Sequence, residues 1–449
     1  MTDDTTATDE STGERTTTEA DADWPPTDDR LEDIADRLRE RTHSLETTDP
    51  GAPIADLDPL VERLRDVRVV GLGEATHGTR EFFQLKHRLL RLLVEELGYR
   101  LFALEANFSE TLAIDEYVVH GRGDPDDALD GIYFWTWDTE EVLELIEWLR
   151  EFNDGRPVED RVRFYGVDAQ FTAGPATALL EFFEERDADL LEVHGETLEM
   201  LAEKGLKDDE PAEEMESRLA DADALVDALD EWFERESADS ADDAFALHRQ
   251  HLRTLEQAVD VNRAAHEEDT ETRARRRDRA MAENLSWILD HESHDRIAVW
   301  AHDAHLQRDG RDEHWGTGTP MGAHVADRYG DDYYVLGFDF ADGEFQAMVE
   351  TDDGYELQSC SLGPPPEDAA TNLFAAVDGP LWWCDLDEVT GDSELSEYLD
   401  AERAVRSVGA VYDPDHEHER LHDEFRLPLA FDGLVFVAET SRARPIERD

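Results

Sequence analysis

Lysine is almost missing from this sequence. Among 449 residues only Lys86, Lys204 and Lys207 are lysines, and Lys and Arg together number 42 against 113 Asp and Glu, a formal net charge of -71. No basic face of any size remains to neutralise phosphates, which excludes nucleic acid as a partner. The excess acid reads as adaptation to molar salt rather than as a dock for a basic partner. Screening length falls from about 10 Å at 0.1 M to about 3 Å at 1 M salt, and self-repulsion falls with it. Thermal stability is therefore expected to drop below about 0.5 M salt, where screening lengthens. A melting series in KCl checks this, and an unchanged Tm in dilute buffer would give the acidity another cause.

Cysteine is as scarce. Cys360 and Cys384 are too few for a disulfide framework or a cysteine-based zinc site and read as buried thiols. No apolar run approaches the roughly 18 residues of a membrane span, so no membrane partner is expected. The opening "MTDDTTATDESTGERTTTEADADWPP" has neither the basic start nor the apolar centre of a signal peptide. Residues 1–26 read as a disordered acidic tail, and the protein as cytoplasmic.

Familiar catalytic signatures are missing too. There is no G-x-S-x-G, so no serine-nucleophile elbow is expected. "GLGEATHG" fails as a dinucleotide fingerprint because Thr76 stands at the last glycine, and as a P-loop because Gly78 is followed by Thr79 and Arg80. Its glycines are expected to permit a tight, strained turn. "HESHD" and "HEHER" are not H-E-x-x-H and read as surface histidines.

What is present alternates. "VRVVGLGE" reads as a strand, "REFFQLKHRLLRLLVEELG" as a helix closing on Gly98, and "YRLFALEAN" as a second strand, a βαβ unit that implies a parallel sheet. Further strands are expected at "VRFYGVDAQ", "RIAVWAHDAH", "YYVLGFDF", "GEFQAMV", "PLWWCDL", "RSVGAVY" and "GLVFVAETS". Residues 186–284 carry only amphipathic helical patterns. The chain therefore reads as an α/β protein: a mostly parallel sheet wrapped by helices, from residues 27–185 and 285–449, with a helical insertion at 186–284 covering a cleft.

The early strands end in polar residues: Glu74 and His77, Glu105, Asp168 and Gln170, then His302 and His305. Open α/β sheets bind ligands at the carboxyl ends of their strands. A histidine beside a carboxylate can take a proton from water and return it to a leaving alcohol. The same two carboxylates and three histidines would also suffice to hold a water-activating divalent metal. A non-catalytic module gripping an anionic small molecule through His and Arg is the third alternative. If the five form one site, their strands must be neighbours. A carboxylate oxygen should then lie about 2.6–3.2 Å from His77, and the paired histidines within about 15 Å of it.

Seven ordered blocks, "GLGEATHGTREFFQLKHRL", "FALEANFSE", "RFYGVDAQ", "RDRAMAENLSWIL", "VWAHDAHLQR", "MGAHVADRYGDDYYVLGF" and "FDGLVFVAETSRARPI", resemble the erythromycin esterase family from about Gly51 to Pro445. The resemblance implies hydrolysis of an ester or macrolactone, the chemistry of macrolide resistance, without a serine nucleophile, a required metal or another cofactor. It implies that His77 is the general base, that Glu74 and Glu105 are the site carboxylates, and that His302 and His305 are the paired histidines of WAH-x-AH. Arg80 and Arg277 fall on positions lining the same cleft, and Asp168 is placed with them as a substrate-binding residue. Arg80 has competing readings: a clamp on a substrate oxygen, an oxyanion donor, or an ion pair with Glu81 or Glu110. One departure stands out. The family usually has Asn where this chain has Asp303, which adds an acid to the paired-histidine motif. Chemistry transfers within a family better than specificity does, so an endogenous ester or lactone is as well expected as a macrolide. The oligomeric state stays open.

Overall fold

The computed structural model describes residues 25–203, 205–206, 211–236, 243–310, 318–351, 354–414 and 422–448. The acidic tail expected at 1–26 lies outside them but for its last two residues, as do Lys204 and Lys207.

Strands are numbered β1 (Thr42–Ser44), β2 (Val69–Leu72), β3 (Leu101–Asn107), β4 (Arg163–Asp168), β5 (Ile297–Trp300), β6 (Tyr333–Thr351), β7 (Gly354–Leu362), β8 (Leu381–Asp385), β9 (Arg403–Arg406), β10 (Val411–Tyr412), β11 (His422–Phe425) and β12 (Gly433–Thr440). Ten of them form one sheet in the order β1-β8-β12-β6-β2-β5-β3-β4, with β7 and β10 also paired to β6. From β12 across to β4 every pair is parallel, and within this sheet the strands β1–β8, β8–β12 and β6–β7 pair antiparallel, as do β9 and β11 in a separate two-stranded sheet. The expected fold class is the one observed.

The central strands are short and apolar because both faces of the sheet are covered. Val70, Leu72, Phe102, Leu104, Ala298 and Trp300 point into one core, and Val69, Leu101, Ala103, Ile297 and Val299 into the other. The helix Arg80–Glu95 follows β2 and buries Phe82, Phe83, Leu85, Leu89 and Leu93 against the first of these cores.

Several elements differ from the sequence reading, among them the short strands β1 and β11, where no strand is expected. "YYVLGFDF" and "GEFQAMV" are one continuous strand, β6. "RSVGAVY" is split between β9 and β10. β7 was not expected at all: most of its residues face solvent, so it lacks the apolar pattern of a core strand and is held by its pairing to β6.

The helices Ala173–Arg186, Ala188–Glu203, Ala212–Glu236 and Asp243–His266 share a separate small core around Phe182, Phe183, Leu229, Trp232, Phe233 and Leu255. This helical core begins at Ala173, earlier than residue 186. Residue 284 falls inside the helix Thr270–His291, whose Met281, Leu285 and Ile288 return the chain to the sheet. Both cysteines are free thiols, and burial pushes Cys384 up to about 12. Among the described residues no helix is long and apolar enough to cross a membrane.

Candidate active site

β2 ends at Leu72, and the next seven residues turn the chain into the helix Arg80–Glu95. The glycines of this turn are needed for space and not for backbone strain, because neither Gly73 nor Gly78 has a positive φ. A Cβ on Gly73 would lie 1.8 Å from Asp303 Oδ1, and one on Gly78 would lie 2.0 Å from the Gln346 carbonyl oxygen. The expected strained turn is thus a closely packed one.

Packing this tight buries Glu74 completely. Its Oε1 accepts a hydrogen bond from His77 Nδ1 at 2.7 Å, and its Oε2 accepts from Trp300 Nε1 at 2.8 Å and from the Lys86 ammonium. Burial works against a charge on Glu74, but Lys86 and the His77 bond outweigh it and hold the carboxyl below its usual range. With Nδ1–H committed to this carboxylate, neutral His77 carries its lone pair on Nε2. Lys86 is as buried as its partner, and burial lowers it to about 8 despite Glu74. Its Nζ also lies 4.4 Å from the centre of the Trp300 ring.

The second cluster is built on β3, β4 and β5, in sheet order next to β2. Glu105 Oε2 accepts the backbone N–H of His302 at 2.8 Å, and Oε1 accepts Arg277 Nη2 at 2.7 Å. Burial again opposes the charge, and His305 and Arg277 more than offset it, so the Glu105 carboxyl is held far below its usual range. Asp168, fully buried at the end of β4, takes Arg277 in a bidentate pair, Oδ1 accepting from Nε at 3.1 Å and Oδ2 from Nη2 at 2.7 Å. His305 Nδ1 is 2.7 Å from Asp278, while Nε2 is 3.0 Å from Arg277 Nη1 and 3.3 Å from Glu105 Oε1. The neutral ring accepts from Arg277, and the imidazolium donates to Glu105. Burial resists the charged form, yet Asp278 and Glu105 together raise the His305 pKa.

His302 joins the two clusters, with its ring centre 4.9 Å from that of His77. Its Nδ1 accepts the Ala304 N–H at 3.2 Å, which leaves the proton on Nε2, 3.3 Å from the Val408 carbonyl. Burial, aided by His77, pushes His302 down to about 3, so the ring is neutral.

His77, Glu105, Arg277, Asp278, His302 and His305 line one cleft of about 350 Å³, together with Phe134, Thr136, Trp137, Ser407, Gly409 and Ala410. Glu74 and Asp168 stand behind it, bonded to His77 and Arg277. Arg80 is not brought there. Its side chain is 39% exposed, with Nε 3.5 Å from Glu141, a partner the sequence did not suggest, while Glu81 is bonded to Ser441 and Glu110 to the Gly174 N–H. Burial pushes the Asp303 carboxyl well above its usual range, favouring the neutral form, so the extra acid adds little charge to the site.

Two residues were missed. Lys86 had a signal, being one of three lysines in a chain that otherwise uses arginine. Asp278 had only its place beside Arg277. Among the described residues no group of three or more His, Cys, Asp or Glu side chains is arranged to hold a metal ion. The carboxylates are turned to cations instead: Glu74 to Lys86, Glu105 and Asp168 to Arg277.

Residues 94–440 match the sequence profile of the erythromycin esterase family. The chain belongs to that family. The matched stretch begins after Glu74 and His77 and takes in Glu105, Asp168, Arg277, His302 and His305. Erythromycin esterase type II of Escherichia coli is 28% identical over 344 residues, which cover 70% of this chain and 79% of that one. The solved structure of a Bacillus cereus protein has a TM-score of 0.80 at 26% identity, covering 93% of this chain and 99% of that one. An erythromycin esterase mutant, EreC, in its open conformation has a TM-score of 0.68 at 18% identity over 91% of this chain and 99% of that one, and shares the family fold.

Proposed function

We propose that this family member is a carboxylic ester hydrolase that cleaves an ester or lactone with water activated at His77, without a serine nucleophile. The observation that carries the reading is the 2.7 Å bond from His77 Nδ1 to a buried, ionised Glu74. It leaves Nε2 as the basic atom of a ring that lines the cleft. Among the described residues Nε2 has no hydrogen-bond partner, so it is placed to take a proton from water.

The water attacks the carbonyl carbon as His77 takes its proton, and Glu74 stabilises the imidazolium that forms. The tetrahedral oxyanion is met by two donors. One is the His302 Nε2–H, whose contact among the described residues is to the Val408 carbonyl at 3.3 Å. The other is on Arg277, whose Nε, both Nη2 hydrogens and one Nη1 position are engaged by Asp168, Glu105 and His305, leaving one Nη1–H. Collapse expels the alkoxide, which takes the proton back from His77. In this scheme Glu74 orients the base and Glu105 orients the donors, since it holds both the His302 backbone and Arg277. The engagement of Arg277 by carboxylates also weighs against a module that grips an anion.

A panel of esters and lactones, a macrolide among them, assayed in high KCl with and without chelator, tests the reading. Hydrolysis of at least one member, indifferent to chelator, is expected. Activity lost to chelator and restored by a divalent cation would favour the metal-dependent alternative. Binding of a panel member with no hydrolysis of any would make the protein a binder.

A further inference from the structure

The lining of the cleft combines aromatic residues with small ones. Phe134 lines it, and Phe171 stacks on Phe134 with ring centres 5.2 Å apart. Behind Phe134 in this chain of rings, Tyr133 meets Phe171 edge-on at 6.1 Å and is 64% exposed. It is held in the left-handed region at φ 62, where a bulky side chain is seldom found unless its surroundings fix it there. The turn ends at Trp137, whose ring meets His77 edge-on at 5.9 Å. Asn262, from the helix Asp243–His266, donates to the Gln170 carbonyl at 2.9 Å and so ties the Phe171 loop to the helical layer. Ser407, Gly409 and Ala410 also line the cleft. Gly409 has open space where a Cβ would be, with no atom within 4 Å. Its loop is pinned at both ends, by Val408 N–H to the Ala75 carbonyl at 2.7 Å and by Met348 N–H to the Ala410 carbonyl at 3.0 Å.

We infer that the aromatic wall of Tyr133, Phe171 and Phe134 and the missing side chain of Gly409 form a selectivity slot, which admits a broad, apolar, uncharged group of the substrate beside His77. Aromatic faces against small residues suit a flat or ring-shaped group. Charge is disfavoured because the cations of the cleft are engaged: Arg277 by Glu105 and Asp168, and His305 by Asp278. A substrate carboxylate or phosphate beside the slot would lose water and meet only cations whose charge carboxylates already offset. The inference rests on the ester-hydrolase reading of the same cleft.

The test uses the full chain in high KCl, with 4-nitrophenyl 1-naphthoate against 4-nitrophenyl acetate as substrates and 1-naphthamide against 1-naphthoate as ligands in calorimetry. Gly409→Phe should lower the naphthoate-to-acetate ratio of kcat/KM, and the affinity for 1-naphthamide, by at least about tenfold, because the space it fills is the slot. Tyr133→Gly should lower both by about three- to tenfold through loss of an aromatic contact, while the Tm rises as the left-handed residue is relieved. The naphthoate anion should bind more weakly than the amide. Ratios and affinities equal to wild type in both variants would overturn the slot, and equal binding of anion and amide would overturn its neutrality. A wild type that binds 1-naphthamide, loses that binding on Gly409→Phe and hydrolyses neither ester would keep the slot and remove the esterase reading.

Discussion

Arg277→Met is expected to destabilise the fold by about 3–5 kcal/mol, the cost of breaking a buried ion pair by removing one partner. The reason is local. Asp168 is fully buried and Glu105 4% exposed, and Arg277 bonds to both. A methionine fills much of the volume but leaves both carboxylates in an apolar setting. The effect should depend on pH in a set direction. In the wild type the folded pKa of Glu105 lies far below its unfolded value, so its contribution is present near neutrality and is lost only as pH falls through the folded pKa. Without Arg277 burial of Glu105 is opposed mainly by His305, which itself holds a proton more strongly once the guanidinium is gone, so protonation in this cluster relieves the uncompensated charge and the variant gains stability as pH falls from 7 towards 5. Urea unfolding of both proteins at pH 7 and pH 5 in high KCl checks this. The gap should narrow at the lower pH, and a gap that stays constant would mean that Glu105 keeps its charge without Arg277.

His77→Ala is expected to lower kcat for the ester cleaved by the wild type by about 10²–10⁴, the range for a positioned general base. Stability should change little. His77 is at the cleft surface, and its removal leaves the Glu74–Lys86 pair and the Trp300 bond in place. Steady-state kinetics beside a melting curve measure both. A large fall in Tm with the activity loss would mean that the ring mainly supports the turn.

How much of this was legible in the sequence follows from which physics each feature obeys. Strands with both faces buried must be apolar, so β2, β3, β4 and β5 announced themselves, and the polar residues after them marked the sheet edge. That Glu74, His77, Glu105, His302 and His305 meet follows from strand adjacency, which the βαβ pattern implied only in part. Arg80 shows the limit. It stands three residues after His77, yet its position on the first helical turn sends it outward to Glu141. Lys86, six residues further and about 240° around the helix, points inward to Glu74. Sequence proximity favoured the wrong cation, and lysine scarcity was the better signal. Asp168 illustrates a second limit. A carboxylate at a strand end looks like a substrate ligand, but here its oxygens are spent on Arg277, Gln170 and the Ala169 N–H. The β6–β7 ribbon was hidden because backbone pairing, unlike burial, leaves no apolar pattern.

The central claim is that His77, oriented by Glu74, supplies the base. The most direct measurement is the rate of ester cleavage by His77→Ala as imidazole is added at fixed pH and salt. The truncated ring leaves a hollow beside the Glu74 Oε1 that accepted Nδ1–H, so free imidazole can bind there and offer its other nitrogen to water. The account predicts a slow variant whose rate rises with imidazole and saturates, with no such rise in His77→Ala combined with Glu74→Ala. A His77→Ala protein that hydrolyses ester at the wild-type rate without imidazole, or one that folds normally and gains nothing from it, would contradict the claim.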